Sequence, residues 1–246
     1  MEKTKVALVT GSSRGIGKAC ILEFAKLGYN VVINYNKSKE KAEELKNLIE
    51  ESYNVKALVI KCDVSNEEEV KSMVNTIIEE YGQIDVLVNN AGIEFAEPFE
   101  EKSVEHWKET LGVNLIGTFL VSKYVSKYML DNRYGKIINV ASDSGIDSFS
   151  PFSMDYNASK AGIVSLTKDL AIQLQPYINV NCIAPGWVYT DINQKFDPEF
   201  LKEQSSSVCV QRIAMPNEIA KVVIFLASED SKYINGEIIK IDGGKQ

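Results

Sequence analysis

The chain has 246 residues, 45% of them hydrophobic and 25% charged, which is typical of one soluble domain with a single core. Its formal net charge of -7 argues against non-specific binding to nucleic acid or to an anionic membrane. The only histidine is His106, so a histidine-rich metal site or a Ser-His-Asp triad is implausible and we expect no metal.

The expected location is the cytoplasm. No apolar run approaches the ~20 residues that a membrane span needs, and the run at 6–9 is too short for the core of a signal peptide. The cysteines form no CxxC pair and lie within or beside apolar stretches, so we interpret them as small buried hydrophobes in a reducing compartment. They are Cys20, Cys62, Cys182 and Cys209.

Seven short runs rich in valine and isoleucine predict seven β-strands, at 6–9, 31–33, 57–60, 86–88, 137–140, 180–183 and 238–241. Such runs suit a sheet that is covered on both faces. Amphipathic helices are predicted between them, at 37–52 and at 66–81, the second capped by Ser65 or Asn66. This alternation predicts an α/β fold: one doubly wound Rossmann-type domain over 1–246, with a seven-stranded parallel sheet flanked by helices.

One stretch, 187–215, shows no regular pattern and separates the sixth strand from the last helix. Long irregular excursions within a compact domain are often functional lids. We therefore predict a mobile substrate loop there. His106 lies in a polar, helix-like stretch and is interpreted as a surface or packing residue.

A glycine-rich loop directly follows the first predicted strand and precedes a helix. Glycines at this place allow a tight turn, close approach of the backbone to a pyrophosphate, and close packing of helix on strand, while the helix N-terminus offers N–H groups to phosphates. The pattern predicts a dinucleotide site rather than a plain turn. Its residues are Gly11, Ser12, Ser13, Arg14, Gly15, Ile16 and Gly17.

The end of the second strand decides between the two nicotinamide cofactors. Enzymes that use NAD usually place a carboxylate there for the ribose 2′-hydroxyl, but this chain has no acid in that segment before Glu40. Arg14 and Lys37 could pair with a 2′-phosphate, or could be merely solvated. We therefore favour NADP(H) over NAD(H). The residues expected to face the cofactor there are Asn34, Tyr35 and Asn36.

Tyr156 and Lys160 are four residues apart in a predicted helix and share one face. An ammonium near a phenol favours the phenolate and lowers the pKa of the tyrosine, as proton transfer to a carbonyl oxygen requires. Ser142, just after the fifth strand, could donate a hydrogen bond to that oxygen. Taken alone, the same spacing would describe an ordinary packed or solvated pair.

Further motifs follow in order along nearly the whole chain: Asn89-Asn90-Ala91-Gly92, Asn114, Ser142, Tyr156-Asn157-Ala158-Ser159-Lys160, Pro185-Gly186 and Asp242-Gly243-Gly244. With the glycine loop, they make the chain resemble the short-chain dehydrogenase/reductase family. The resemblance implies that Tyr156 is the acid/base and that Lys160 also binds the nicotinamide ribose. It further implies that Ser142 positions the carbonyl and that Asn114 supports a water-linked proton relay.

The resemblance also implies further cofactor contacts and an assembly. The expected contacts are Asp63 and Val64 at the adenine, Asn90, Ala91 and Gly92 at the adenosine side and ribose, and Pro185, Gly186, Val188 and Thr190 at the nicotinamide end. Members of the family are usually homotetramers, paired through the long helices around 107–129 and 156–175. The apolar residues that would serve either core or interface are Phe119, Val125, Ile163 and Leu166.

Within the family, the segments 31–35, 134–140 and 212–244 are similar to bacterial 3-oxoacyl-[acyl carrier protein] reductases. This similarity implies reduction of a 3-oxoacyl thioester in fatty-acid synthesis, with acyl carrier protein as the partner that presents the substrate. The alternatives are a reductase of a sugar, polyol or cyclic ketone, and more remotely a non-catalytic protein that senses NADP.

Three segments depart from the reductase pattern. The stretch 93–98 is acidic, and the triplet 153–155 is expected to line the substrate entrance. The segment 173–177 lacks the basic side chains that an acidic carrier protein would meet. Arg133 and Lys136 remain as basic candidates for that contact.

Overall fold

The computed structural model describes residues 3–190 and 197–245, and within them it forms one seven-stranded sheet. All neighbouring strands are parallel, in the order β3-β2-β1-β4-β5-β6-β7. The strands are β1 Val6–Val9, β2 Asn30–Tyr35, β3 Ala57–Lys61, β4 Val86–Asn89, β5 Gly135–Val140, β6 Ile178–Pro185 and β7 Ile238–Ile241. The predicted fold class is confirmed, and each predicted strand lies inside the observed one or matches it.

Helices connect the strands and cover both faces of the sheet. They are α1 Gly15–Lys26, α2 Lys39–Ser52, α3 Glu67–Tyr81, α4 Val104–Leu111, α5 Gly117–Asp131, α6 Met154–Gln173, α7 Pro198–Ser206 and α8 Pro216–Ala227. A five-residue π-helical turn, Gly112–Ile116, joins α4 to α5 without a break. No helix in the described part of the chain combines the length and the apolar character needed to cross a membrane.

Side chains of β1 alternate between two separate halves of the core. Ala7 and Val9 belong to the cluster that contains Phe24 of α1, whereas Val6 and Leu8 belong to the cluster on the opposite face. Because successive residues of a strand point to opposite faces, a run with four apolar residues is explained by a sheet that is buried on both sides. The sequence signal for a parallel sheet therefore has a direct structural cause.

The strand order reverses beside β1. The chain proceeds outward from β1 to β3 and then returns to place β4 on the other side of β1. In sheets of this type, the crevice at the carboxyl ends of the strands next to the reversal is the usual place for a ligand. The segments that follow β1, β4, β5 and β6 therefore meet at one edge of the sheet.

Three local expectations need correction or refinement. The stretch 187–215 is not irregular throughout, because α7 lies within it, and Asp197 caps that helix through the backbone N–H of Glu199 at 2.8 Å. The Asp-Pro pair at 197–198 is a helix start signal that would have revealed it. Part of that stretch, 191–196, lies outside the described residues. Asn66, rather than Ser65, caps α3, and Cys209 is exposed, unlike the other three cysteines.

Candidate active site

The glycine loop between β1 and α1 is shaped by contacts inside the protein. Gly11 has a φ of +60°, and a Cβ atom there would lie 2.8 Å from the Cα atom of Ala91. At Gly17 a Cβ atom would lie 2.6 Å from the Nδ2 atom of Asn90. These two glycines therefore let the segment after β4 pack directly against the loop, which is a different reason from the close approach to pyrophosphate that the sequence suggested.

Neutral polar side chains hold this loop in place. The Thr10 hydroxyl accepts hydrogen bonds from the backbone N–H groups of Asn90 and Ala91, at 2.9 and 3.0 Å. The Asn34 side chain accepts from the N–H of Gly11 at 3.0 Å and donates to the carbonyl of Cys62 at 3.1 Å. Asn34 is buried, so its amide is committed to joining the ends of β1, β2 and β3. Thr10 is a site residue that the sequence reasoning did not select.

The N-terminus of α1 differs from that of α3. Among the described residues, Arg14 at the N-cap makes no side-chain hydrogen bond to α1, and the first turn of that helix carries no acid. The N-terminus of α3 is instead capped by Asn66 and carries three glutamates in its first turn. The unpaired N–H groups and positive dipole end of α1 are therefore available to an anion.

A cavity of about 500 Å³ opens at this edge of the sheet. It is lined by the glycine loop and by the segments that follow β2, β3 and β4. Of the predicted cofactor residues, those that line it are Gly11, Ser13, Arg14, Gly15, Ile16, Asn34, Tyr35, Asn36, Asp63, Val64, Asn90, Ala91, Gly92 and Thr190. Lining residues that the sequence reasoning did not select include Ser38, Ser65, Lys108, Glu109 and Val113.

Exposed cations line the cavity. Arg14 belongs to the glycine loop and Lys37 is the second residue after β2. The carboxylate of Asp63, which also lines the cavity, accepts a hydrogen bond from the Asn36 amide at 3.1 Å and two more from Ser65. That carboxylate belongs to the segment after β3, so the end of β2 itself offers no acid. The cavity therefore fits a dinucleotide, with N–H groups for its phosphates and cations at the end of β2.

Four predicted residues lie at the end of β6 or just after it. Pro185 ends β6, and the N–H of Gly186 donates to the carbonyl of Ile241 at 3.0 Å. Val188 is buried and pairs with Ala214, whereas Thr190 faces the glycine loop. Pro185, Gly186 and Val188 do not line the cavity, and neither do Ser12 and Gly17. The Ser12 hydroxyl is instead used inside the protein, where it accepts a hydrogen bond from the N–H of Asn34.

Asn114 lies in the π-helical turn and is fully buried. Its side chain accepts from the N–H of Ile93 at 2.8 Å and donates to the carbonyl of Ile93 and the hydroxyl of Ser159, both at 3.0 Å. Single π-helical turns are rare in proteins, and those that do occur are often found at functional sites. Here the turn aims Asn114 between α6 and the segment after β4, so one amide ties the two together.

Lys160 is buried in α6 beneath the segment that follows β4. Its ammonium donates to the carbonyl of Val140 at 2.8 Å and lies 5.3 Å from the ring centroid of Tyr156. A Cβ atom at Gly92 would lie 3.6 Å from this nitrogen, so the ammonium is next to the cavity wall. Loss of hydration lowers the pKa of Lys160 to about 8.

The phenol of Tyr156 lies beside the hydroxyl of Ser142, which lowers the pKa of the phenol. Its pKa is raised, first by loss of hydration and then by the negative charges of Glu94 and Asp143, against the lowering effect of Ser142. The net shift is opposite to the lowering that the Tyr156–Lys160 spacing predicts, because desolvation is the largest effect on this pKa. Burial therefore favours the neutral, protonated phenol of Tyr156.

Ser142 is placed by a short turn that packs on α6. Its hydroxyl caps the 3-10 turn Asp143–Gly145 by accepting from the N–H of Ser144 at 3.2 Å. A Cβ atom at Gly145 would lie 2.6 Å from the carbonyl carbon of Lys160. Only glycine allows this approach, which brings Ser142 to Tyr156. Gly145 escaped the sequence reasoning because a glycine inside a loop gives no signal of what it contacts.

A buried ion pair lies directly before the tyrosine. The Asp155 carboxylate accepts from the Lys102 ammonium at 2.8 Å and from the Thr110 hydroxyl at 2.6 Å, and the two charged side chains are 0% and 3% exposed. Lys102 also donates to the carbonyl of Phe95. This pair joins the start of α6 to the segment 93–98.

Two expectations about the substrate side are corrected by this burial. Ser153 and Asp155 are 2% and 0% exposed and so do not line an entrance. Lys136 is also buried and donates to Asn179 at 2.8 Å, so it offers no cation to a partner. Arg133 remains at the surface, 5.5 Å above the ring of Tyr177. His106 is a packing residue, stacked on Phe95 and paired with Glu97.

Comparison with known proteins places this geometry in a family. Residues 11–246 match the family model described as enoyl-(acyl carrier protein) reductase. The chain is 38% identical over 245 residues to the 3-oxoacyl-[acyl-carrier-protein] reductase FabG of Staphylococcus aureus, covering 99% of each chain. It is also 38% identical over 241 residues to FabG of Aquifex aeolicus, covering 98% of this chain and 96% of that protein.

The chain belongs to the short-chain dehydrogenase/reductase family. Solved structures agree with this assignment. The acetoin dehydrogenase YohF of Salmonella typhimurium superposes with a TM-score of 0.89 at 32% identity, covering 98% of this chain and 96% of the other. A short-chain dehydrogenase/reductase from Burkholderia xenovorans superposes with a TM-score of 0.90 at 28% identity, covering 99% and 98%.

Family membership fixes the reaction class. This short-chain dehydrogenase/reductase is an oxidoreductase that acts on a CH–OH or C=O group with a nicotinamide cofactor. The cavity at the N-terminus of α1 has room for a dinucleotide, and the cluster of Ser142, Tyr156 and Lys160 near it offers a phenol and a hydroxyl that could donate to a carbonyl oxygen.

Proposed function

We propose that this protein is an NADPH-dependent 3-oxoacyl-[acyl carrier protein] reductase of fatty-acid biosynthesis, acting in the cytoplasm. The observation that carries the proposal is the cluster of Ser142, Tyr156 and Lys160, in which the Lys160 ammonium lies next to Gly92 of the cavity wall. The similarity to the FabG reductases of Staphylococcus aureus and Aquifex aeolicus supports the choice of a 3-oxoacyl thioester as substrate.

The reaction adds a hydride to the carbonyl carbon and a proton to the carbonyl oxygen. When bound, the reduced nicotinamide supplies the hydride. The Ser142 hydroxyl donates a hydrogen bond to the carbonyl oxygen and so stabilises the charge that develops there. Tyr156, held neutral by its raised pKa, gives its O–H proton to the same oxygen. The products are the 3-hydroxyacyl thioester and a tyrosinate.

Lys160 and Asn114 act after the proton leaves Tyr156. The Lys160 ammonium stabilises the tyrosinate through its positive charge, 5.3 Å from the ring centroid. Lys160 would also bind the nicotinamide ribose. A Cβ atom at Gly92 would lie 3.4 Å from the Oδ1 atom of Asn114 and 3.6 Å from this ammonium, and we propose that Asn114 supports a water-linked relay that returns a proton to Tyr156.

The choice of NADPH rests on charge at the end of β2. Arg14 and Lys37 are exposed cations that line the cavity, and the chain after β2 has no acidic residue before Glu40. A 2′-phosphate would meet attraction rather than repulsion at this place. The contacts of Asp63 and Val64 with the adenine, and of Pro185, Gly186, Val188 and Thr190 with the nicotinamide end, belong to the same proposal.

A second candidate is a reductase of a sugar, polyol or cyclic ketone. The specific observation in its favour is the charge at the substrate side, where Glu94 and Asp143 act on Tyr156. With Lys136 buried, Arg133 is the one surface cation left of the two that could meet an acidic carrier protein. The similarity to the acetoin dehydrogenase YohF points in the same direction, because acetoin is a small hydroxyketone.

We also infer a homotetramer built through α5 and α6. Val125 and Ile163 are core residues and so are excluded from the interface. Ile116 in the π-helical turn is 50% exposed and Phe119 of α5 is 43% exposed, which leaves an apolar face at the start of α5 for a second copy of the chain. Analytical ultracentrifugation tests this, since a monomer at working concentration would overturn it.

The experiment that tests the function compares NADPH and NADH consumption with acetoacetyl-CoA, a short 3-oxoacyl thioester. We expect rapid oxidation of NADPH, little oxidation of NADH, and a loss of about 10²–10⁴-fold in kcat for Tyr156→Phe. A thermal shift with NADPH is the control, since Tyr156→Phe should still be stabilised by the cofactor. Retained turnover in that variant would overturn the role of Tyr156. Turnover of diacetyl or of a sugar, but not of acetoacetyl-CoA, would favour the second candidate.

A further inference from the structure

A carboxylate stands directly beside the serine of the site. The Ser142 hydroxyl donates to the Oδ1 atom of Asp143 at 3.1 Å, and Asp143 is only 5% exposed. A serine hydroxyl has a single proton, and here that proton is directed at Asp143. Asp143 therefore competes with a substrate carbonyl for the one proton that Ser142 can offer.

Asp143 is not left uncompensated. Lys245, four residues after the end of β7, places its ammonium 3.1 Å from the Oδ2 atom of Asp143 and also donates to the Ser148 hydroxyl. Asp143 is nearly buried and Lys245 is partly buried, with side-chain exposures of 7% and 28%. Solvent therefore screens this pair less than it screens a fully exposed one.

The segment 143–148 is held by a second ion pair that does not reach the serine. Lys240 of β7 lies 2.8 Å from a carboxylate oxygen of Asp147, with side-chain exposures of 34% and 58%. This pair fastens the same segment to the same part of the chain, but its carboxylate is four residues further from the Ser142–Asp143 contact. Lys240 also lies 3.0 Å from a carboxylate oxygen of Asp242. Lys240→Met therefore removes two ion pairs from this region, and it is a stringent control for the loss of ion pairing alone.

The charges that face Tyr156 come from several elements. Lys160 of α6 contributes a positive charge, and Glu94 and Asp143 contribute negative ones from the segments after β4 and β5. Cys182 of β6 faces Lys160, and the buried Asp155, paired with Lys102, precedes Tyr156 in the chain. Of the two carboxylates that act on Tyr156, Asp143 is bonded to Ser142 and to a lysine.

We propose that Lys245 is a positioning residue for this reaction: its ion pair with Asp143 neutralises the carboxylate that touches Ser142, so that the serine proton is released to the substrate oxygen. The inference rests on the proposed roles of Ser142 and Tyr156 in carbonyl reduction. Without Lys245, Asp143 would keep the Ser142 proton and its charge would oppose the negative charge that develops on the substrate oxygen. The step itself is unchanged, and only its barrier rises.

The test is a double-mutant cycle on the full-length protein with NADPH and acetoacetyl-CoA. Lys245→Met should lower kcat about tenfold, as expected for one uncompensated charge near the reacting oxygen. The double variant Lys245→Met/Asp143→Asn should regain activity and match Asp143→Asn alone, because no carboxylate is then left to neutralise. The proposal would be overturned if the double variant had the same low kcat as Lys245→Met. It would also be overturned if Lys245→Met kept the wild-type kcat.

The pH profile supplies a readout that a purely structural role would not move. The alkaline limb of kcat/KM reports the loss of the Lys160 proton. Because a carboxylate that has lost its ammonium favours a nearby positive charge, this limb should move up by roughly half to one pH unit in Lys245→Met and down in Asp143→Asn. Lys240→Met should leave it at the wild-type position. A shift of the same size in Lys240→Met would show that any loosening of the segment has this effect, and would overturn the role of Lys245.

The cycle also separates this proposal from that of the substrate. If wild-type protein turns over diacetyl or a sugar but not acetoacetyl-CoA, the proposed substrate fails, and the same four proteins are compared with the accepted compound. Coupling between positions 143 and 245 with that compound would still support the inference. Absence of turnover with every carbonyl compound tried would overturn both proposals.

Discussion

The glycine-loop end of the site and the end that contains Tyr156 are held in place by different kinds of residue. The dinucleotide end is held by glycines and neutral amides, such as Gly11 and Asn34, whose hydrogen bonds go to backbone groups. The catalytic end is held by ionisable side chains with little exposure, such as Lys160 and Asp155, which donate to or accept from specific partners. The first end should therefore be sensitive to added volume, and the second to a change of charge.

The largest effect is expected where a buried charge loses its partner. Lys102→Met leaves the Asp155 carboxylate without its ammonium in a site that is 0% exposed, which should lower the free energy of unfolding by about 3–5 kcal/mol. Urea unfolding of the protein without ligand measures this. The double variant Lys102→Met/Asp155→Asn should lose less, because it leaves no unpaired charge.

The exposed pair between Lys56 and Glu80 is the matched control. These side chains are 72% and 48% exposed and 3.5 Å apart, so Lys56→Met should cost less than about 1 kcal/mol. Equal losses in Lys56→Met and Lys102→Met would contradict the view that burial, rather than the presence of an ion pair, makes the catalytic end sensitive to charge.

At the dinucleotide end, the sharpest test adds one methyl group. Gly11→Ala places a Cβ atom 2.8 Å from the Cα atom of Ala91 and adopts a φ of +60°. Gly28 also has a positive φ, +84°, but a Cβ atom there would meet nothing within 4 Å. Gly28→Ala should therefore cost only the backbone strain, about 1–2 kcal/mol, and Gly11→Ala should cost a further 1–3 kcal/mol, roughly, for the overlap.

Melting temperatures with and without NADPH measure this difference. Gly11→Ala should also lose most of the stabilisation by NADPH, since the loop and the segment after β4 must separate to make room. Gly28→Ala should keep it. If the two variants had the same melting temperature and the same response to NADPH, the close approach at Gly11 would not be what shapes the loop.

The same contrast explains what could be predicted from the sequence. The strand runs, the glycine loop and the pair Tyr156–Lys160 give signals that are local in the chain, and the fold followed from them. Gly145 and the Lys102–Asp155 pair give none, because their meaning lies in contacts between segments that are far apart in sequence. The sequence predicts that the triplet 153–155 lines the substrate entrance, because no local pattern shows that Asp155 has a buried partner.

The direction of the Tyr156 pKa shift was also beyond local reasoning. The spacing of Tyr156 and Lys160 correctly places an ammonium by the ring, at 5.3 Å from its centroid. Whether the pKa of the phenol then falls depends on how much water the fold removes and on charges from other segments, here Glu94 and Asp143. Such a balance of desolvation and charge is set by tertiary structure.

A smaller effect is expected for charge at the exposed far end of the dinucleotide site. Arg14→Ala and Lys37→Ala should each weaken NADPH binding by up to about tenfold, or 1.4 kcal/mol, through loss of a contact with the 2′-phosphate. Neither should weaken NADH binding, which has no such phosphate. Titration calorimetry with both cofactors measures this. An equal loss for NADPH and NADH would mean that these cations serve the shared pyrophosphate, and the proposed preference for NADPH would lose its support.

The smallest effect is expected from pH near neutrality, and it concerns Lys160. Its pKa of about 8 in the folded protein means that about half of the ammonium charge is lost at pH 8. Reduction should therefore slow about twofold between pH 7 and pH 8 and continue to fall above that. The raised pKa of Tyr156 keeps the proton donor in place over this range, so the decline reports the lysine.

Stability should change in the opposite direction over the same range. The ordinary pKa of lysine, 10.5, applies to the unfolded chain, so between pH 8 and about 10 the unfolded state binds more protons than the folded state at this position. The contribution of Lys160 to stability therefore rises with pH while activity falls. Chemical denaturation of wild type and Lys160→Met at pH 7 and pH 9 measures this, and the rise should be absent from the variant. A loss of activity that followed a loss of stability would instead mean that the protein unfolds as pH increases, and the assignment of the alkaline decline to Lys160 would be wrong.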